Sequence, residues 1–188
     1  MIKIGITGSL SSGKTTASKI LSRRRGPLFS ADNIVKRLYK SPKFKNLISR
    51  KFSIKNSNDI KKSLKKLILD NKINIKKLEK IIHPEVRNEM KKFTSKNKKQ
   101  KMLFYEIPLL IESRLMKFFD VIIFIKCNKK KRLKRFISKK ENKKLFNLLN
   151  VKQISDNKKI KFCDHIVVNE KNFYILKNNL STIIKNYE

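Results

Sequence analysis

Residues 1–16 read MIKIGITGSLSSGKTT, and this stretch decides the fold. Residues 2–7 are mostly apolar and rich in isoleucine, which suits a buried strand. Gly8 to Thr15 then spell G-x-x-x-x-G-K-T, the Walker A pattern. The following residues, TASKILSRR at 16–24, place Ala17, Ile20 and Leu21 on one helical face. A strand, a glycine loop and a helix in that order form a phosphate-binding loop. The backbone amides of Gly8, Ser9, Leu10, Ser11, Ser12, Gly13, Lys14, Thr15 and Thr16 would cradle phosphate oxygens. The helix start adds free N–H groups and its positive end. Lys14 would reach the β- and γ-phosphates, and the Thr15 hydroxyl would sit on Mg²⁺. Nucleotide binding is therefore expected.

The composition suits one α/β domain. At 188 residues the chain can bury one sizeable core, and 39% hydrophobic content with twelve Phe supplies it. No 18-residue apolar run occurs, so membrane insertion is not expected. The chain enters a strand at once with no signal-like segment, so a cytoplasmic location is expected. Cys127 and Cys163 lack metal-ligand spacing and read as ordinary small core residues.

Charge is the unusual feature. Lys and Arg number 49 against 14 Asp and Glu, a net charge of +35. Such a field attracts nucleic acid without sequence preference, so weak adhesion in vitro is expected. The lysines are spread along the whole chain, and no basic-aromatic stacking motif accompanies them. Lys, Asn and Ile share A/T-rich codons, and coding bias accounts for the pattern without a specific nucleic-acid partner.

The rest of the chain alternates strands and helices. Gly26-Pro27 marks a turn into a short strand at 27–30, and Asp32 stands where that strand ends. In a parallel sheet the strand ends border the ligand crevice. Asp32 therefore suits a general base or a Mg²⁺-linked carboxylate, and it also suits the N-cap of the helix beginning at Asn33. Residues 33–92 read as a helical, substrate-side subregion, in which Pro84 should bend or interrupt a helix near His83. Residues 102–105 read as a strand running into Glu106. That carboxylate could bind water on Mg²⁺ or hold a substrate, or it could be a solvated strand end; Glu112 is similarly ambiguous. DVIIFIK at 120–126 lacks polar alternation and reads as an interior parallel strand. Residues 128–160 are helical and densely basic, with Arg132 and Arg135 as the only arginines. The planar guanidinium fork suits phosphate, so this subregion reads as a small lid over the nucleotide. A last strand at 165–168 and a terminal helix complete the order. No Walker B strand ending in Asp and no N-K-x-D motif is evident, which favours a small-molecule kinase over a motor or switch GTPase.

Several of these stretches together resemble the dephospho-CoA kinase family. They are IGITGSLSSGKT at 4–15, SAD at 30–32, LEKIIHPEV at 78–86 and EIPLLIE at 106–112. RLKR at 132–135, Gln153, Lys159, CD at 163–164 and VVN at 167–169 follow in family order. The resemblance implies a P-loop kinase with a helical CoA-side region and a small lid. It implies transfer of phosphate from ATP to the ribose 3′-hydroxyl of dephospho-coenzyme A, with Mg²⁺. On it, Asp32 matches the catalytic aspartate, and Lys14 and Thr15 match the phosphate and Mg²⁺ residues. Arg132 and Arg135 match the basic residues that begin the lid, Arg132 as a nucleotide-binding residue and Arg135, with Asp32 and Lys14, as a catalytic one. His83, Glu106 and Leu109, with Asp32, would lie on the substrate side.

The chain departs from the family at Ser30, which replaces the first Asp of D-A-D, and at Ser9, which replaces a glycine. Glu106 replaces an Asp, Phe136 follows Arg135 where an arginine-aspartate pair is usual, and KKSLKKL at 61–67 matches the family poorly. Other readings are a kinase of another metabolite or a nucleoside, a nucleic-acid-stimulated P-loop ATPase, and an inactive scaffold. Acceptor preference, nucleic-acid stimulation and Mg-ATP affinity separate them. The sequence leaves the oligomeric state open.

Overall fold

The computed structural model describes residues 1–54, 59–71 and 73–188. Residues 55–58 and 72, part of the helical stretch expected over 33–92, lie outside the described residues. The chain divides into two compact units, residues 1–30 with 94–188 and residues 31–93.

The first unit is built on a five-stranded sheet. Its strands are β1 (Ile2–Gly8), β2 (Leu28–Ser30), β3 (Met102–Glu106), β4 (Val121–Lys126) and β5 (His165–Val168). Their spatial order is β2-β3-β1-β4-β5, and every pairing is parallel. All five strands expected from the sequence are present, and β4 is interior as its unbroken apolar run requires. Helix α1 (Lys14–Ser22) follows the P-loop, and α9 (Phe173–Lys185) ends the chain. Ala17 and Leu21 of α1 and Leu176, Leu180 and Ile184 of α9 share a buried cluster with Ile4, Ile6, Phe104, Ile123 and Ile125. These strand positions are two apart, so they point to one face of the sheet. On alternate positions Gly5 lies so close to Leu110 and Phe119 that an added Cβ would stand 2.8 Å from Leu110. Tyr105 meets Phe118 and Phe119 edge-on there, and its hydroxyl pairs with Thr94 at 2.8 Å. The basic stretch forms α6 (Lys129–Ile137), α7 (Lys143–Lys152) and the short α8 (Asp156–Ile160). The side chain of Asn128 caps α6, and that of Asn142 caps α7.

The second unit is helical. Helices α2 (Ala31–Leu38), α3 (Pro42–Phe52), α4 (Ile60–Asp70) and most of α5 (Ile73–Lys96) form it. Phe44, Ile48, Phe52 and Leu64 make a small core, flanked by Leu67, Leu78 and Ile82. Pro42 opens α3 at its first turn, where a missing N–H costs nothing, and Asp59 caps α4. Two expectations need correction here. Helix α5 is not interrupted at His83; it continues past Pro84 as one 24-residue element. Helix α2 starts at Ala31, so Asp32 lies inside its first turn and is not its N-cap.

Candidate active site

The site of the first unit begins where β1 ends. Gly8 has φ of +153°, and a Cβ there would lie 2.5 Å from the Ile125 carbonyl oxygen of β4. Gly13 has φ of +100°, and a Cβ there would lie 2.1 Å from Asn169 Nδ2. Both positions therefore exclude any larger residue. The loop between them returns on itself, with Ser12 N donating to Ser9 O at 3.1 Å. Ser11 takes the left-handed conformation, φ 58°. Helix α1 then starts with no acidic residue in its first turn and no side-chain cap. Its positive end is left for an anion. The Lys14 side chain folds back over the loop, its Nζ donating to Ser9 O at 3.0 Å.

Glu106, at the end of the neighbouring strand β3, is the acidic centre of the site. It is 1% exposed, which rules out the solvated strand end. Its Oε1 accepts from Thr15 Oγ1 at 2.5 Å and its Oε2 from Ser30 Oγ at 2.9 Å. Parallel pairing sets this geometry, because Ile6 of β1 and Ser30 of β2 are both in register with Glu106. Hydroxyl and carboxylate oxygens are the donors Mg²⁺ takes. Among the described residues no group of three or more His, Cys, Asp or Glu could hold a metal ion. A Mg²⁺ ion at Thr15 and Glu106 would thus draw most of its ligands from phosphate and water, which is its usual habit.

The two arginines both donate to carbonyls of the P-loop. Arg132 is 6% exposed; its Nε donates to Cys127 O at 3.0 Å, and its Nη1 to Asn150 Oδ1 at 2.8 Å and Leu10 O at 3.4 Å. Its guanidinium also stacks over the Phe146 ring at 5.8 Å. Arg135 donates from Nη1 to Ser12 O and from Nη2 to Asn169 O, each at 3.2 Å. Burial pushes the Cys127 thiol up, against the lowering pull of Arg135. Asn169 adds a bond of its own, Nδ2 to Ser12 O at 2.8 Å. Ser12 O is therefore held by two donors, which sets the loop's far side.

Three contacts in this site carry no signal in spacing or composition. Gln153 Oε1 accepts from Leu10 N at 2.9 Å, Asp156 Oδ1 accepts from Ser9 Oγ, and Glu112 Oε1 meets Lys159 Nζ at 2.7 Å. Gln153, Lys159 and Asn169 stand in the stretches that carry the family resemblance, and that was the available hint. Glu112 is paired with Lys159, which resolves its ambiguity.

Leu109 is half-buried in the turn after β3. Asp32 and His83 belong to the second unit, Asp32 in the first turn of α2 and His83 within α5. Burial pushes the His83 imidazole below its ordinary value, with Glu79 raising it and Arg87 lowering it further.

A Walker A loop on a parallel α/β sheet, with a buried carboxylate beside its threonine, defines the class. The chain is an ATP-dependent P-loop kinase of small molecules. A profile of the dephospho-CoA kinase family matches residues 2–174, and the chain belongs to that family. It is 34% identical over 174 residues to a dephospho-CoA kinase of Fusobacterium nucleatum, spanning 90% of each chain. Among solved structures, the Thermus thermophilus protein TT1252 superposes with a TM-score of 0.81 at 22% identity, over 100% of this chain and 98% of that one. A dephospho-CoA kinase from Campylobacter jejuni gives 0.69 at 24% identity, over 98% of this chain and 96% of that one. These two likenesses are ones of fold. No helix among the described residues is long and apolar enough to cross a membrane.

Proposed function

We propose that the chain transfers the γ-phosphoryl group of ATP to the ribose 3′-hydroxyl of dephospho-coenzyme A, giving coenzyme A and ADP. The observation that carries this reading is the match of the family profile from residue 2 to residue 174, with an intact Walker A motif, SAD at 30–32 and PLL-x-E at 108–112 inside it. Asp32 orients the acceptor hydroxyl and takes its proton as the new bond to phosphorus forms. Lys14 places a positive charge where the transferred group is most anionic. Thr15 would hold Mg²⁺, with Glu106 fixing the Thr15 hydroxyl and able to bind water on that ion. Mg²⁺ supplies neutralisation of phosphate charge.

Arg135 acts through the P-loop by holding Ser12 O, and Arg132 by holding Leu10 O. His83 and Leu109 contribute to the acceptor side. The residues expected to form a lid, 128–160, exclude water from the phosphates. The +35 charge is a compositional trait under this reading and has no specific nucleic-acid role.

The test is a panel of acceptors with Mg-ATP: dephospho-CoA, nucleosides, shikimate and gluconate. The reading requires kcat/KM for dephospho-CoA to exceed the others by orders of magnitude. Preference for a nucleoside or a sugar acid would replace the acceptor. Turnover that needs only added RNA or DNA would replace the class.

A further inference from the structure

Glu112 and Lys159 form an ion pair, and among the described residues no hydrogen bond joins either side chain to the Walker A residues or to Glu106. Lys159 is fully buried in α8, and its ammonium stands 2.7 Å from Glu112 Oε1. The same Oε1 accepts from Ile154 N at 3.2 Å. One carboxylate oxygen thus pins both ends of the stretch 154–159. The pair is poorly satisfied otherwise: Lys159 Nζ makes no aligned hydrogen bond, and Glu112 Oε2 has no partner among the described residues.

A buried pair of this kind is a weak source of stability, because apolar side chains of similar size commonly serve as well or better. What the pair supplies is position. The pinned stretch carries two contacts to the P-loop, Gln153 Oε1 on Leu10 N and Asp156 Oδ1 on the Ser9 hydroxyl. Ser9 in turn receives Lys14 Nζ on its carbonyl oxygen. A connected series therefore runs from Lys159 and Glu112, through Asp156 and Gln153, to Ser9 and Lys14. Where the family usually has glycine, Ser9 supplies the hydroxyl that makes the Asp156 link.

We infer that Glu112 and Lys159 are positioning residues, which set the nucleotide-binding form of Ser9-Leu10 by fixing Gln153 and Asp156 against it. The inference rests on nucleotide binding by the P-loop and not on the identity of the acceptor. Its readout is accordingly Mg-ATP affinity of the full chain, measured by calorimetry with no acceptor present.

The expected result is about tenfold weaker Mg-ATP binding in Lys159→Met, a loss typical of removing an outer-shell orienting partner. Gln153→Ala with Asp156→Ala should weaken binding comparably. The triple variant should be no worse than that double, because Lys159 acts through those two residues. Lys159→Arg, which keeps the charge, should recover most of the affinity.

Lys159→Met alone leaves Glu112 buried and unpaired, so the paired change Glu112→Leu with Lys159→Met is the second arm. It should fold with little loss of thermal stability and still bind Mg-ATP about tenfold more weakly. Wild-type affinity in that variant would overturn the inference. So would a triple variant whose loss equals the product of the separate losses. Failure of the paired variant to fold would make the pair a requirement of the core and overturn it as well.

Discussion

The Thr15 hydroxyl, in the first turn of α1, donates at 2.5 Å to Oε1 of Glu106, the last residue of β3. This contact ties the residue that would hold Mg²⁺ to a carboxylate with 1% exposure. Glu106→Gln keeps the size and one acceptor oxygen but removes the charge. The amide offers N–H to one of two hydroxyls that both donate in the native arrangement. We expect the variant to fold and to need about 10- to 100-fold more Mg²⁺ for half-maximal activity, the usual effect of losing an outer-shell partner. Initial rates across a Mg²⁺ titration read this. An unchanged Mg²⁺ requirement would make Glu106 a structural anchor of Thr15 and Ser30.

Lys14→Ala should fold normally and lose most phosphoryl transfer. The native ammonium is bonded to Ser9 O, a carbonyl that also receives Ser12 N, so the loop keeps an internal bond without it. The missing charge bears on the transfer state, where phosphate charge is greatest. Circular dichroism and initial rates check the two halves. Near-native turnover would contradict the role given to Lys14.

Much of this architecture is legible in the sequence, for physical reasons. Strand β4 could be read because an interior parallel strand tolerates no polar alternation. The P-loop could be read because Gly8 and Gly13 occupy positions that no side chain fits. Glu106 was legible only as a strand-end carboxylate; its burial depends on Thr15 and Ser30, which come from two other stretches of chain. The Glu112–Lys159 pair is 47 residues apart in sequence, which follows from its two numbers, and no local pattern reports it. Arg132 reads as a phosphate ligand by residue type; that its Nε and Nη1 also donate to Cys127 O, Asn150 and Leu10 O is reported by no local pattern. Pro84 reads as a bend or an interruption near His83, and of these the interruption does not occur, since α5 continues through it.

The position of His83 gives a pH prediction. Its pKa is lowered from 6.5, chiefly by burial, so the unfolded chain binds the proton more readily than the folded one. The stability it contributes is fully present above about pH 6.5 and is lost as the pH falls through the lower, folded value. Thermal unfolding of the wild type should therefore weaken below about pH 6.5 more than that of His83→Gln. Parallel curves for the two proteins between pH 7.5 and roughly 5 would contradict this.

Asp32→Asn should lower kcat by roughly 10²–10⁴-fold, the range expected for losing a general base. Mg-ATP affinity should change little. Asp32 lies within the first turn of α2, where a negative charge is favourable, so a small loss of stability is expected as well. Steady-state kinetics beside Mg-ATP calorimetry separate the roles. Collapse of Mg-ATP binding would move Asp32 to the metal site, and a kcat within a few-fold of native would leave it a helix residue only.

The most direct test of the account is phosphorus NMR of the product formed from dephospho-CoA and Mg-ATP. The account predicts one new phosphomonoester resonance, coupled to the ribose 3′ proton, appearing in step with ADP and absent when Asp32→Asn replaces the native protein over the same interval. Phosphate on the 2′-hydroxyl, on the pantetheine arm or released to water, or no transfer to dephospho-CoA at all, would contradict it.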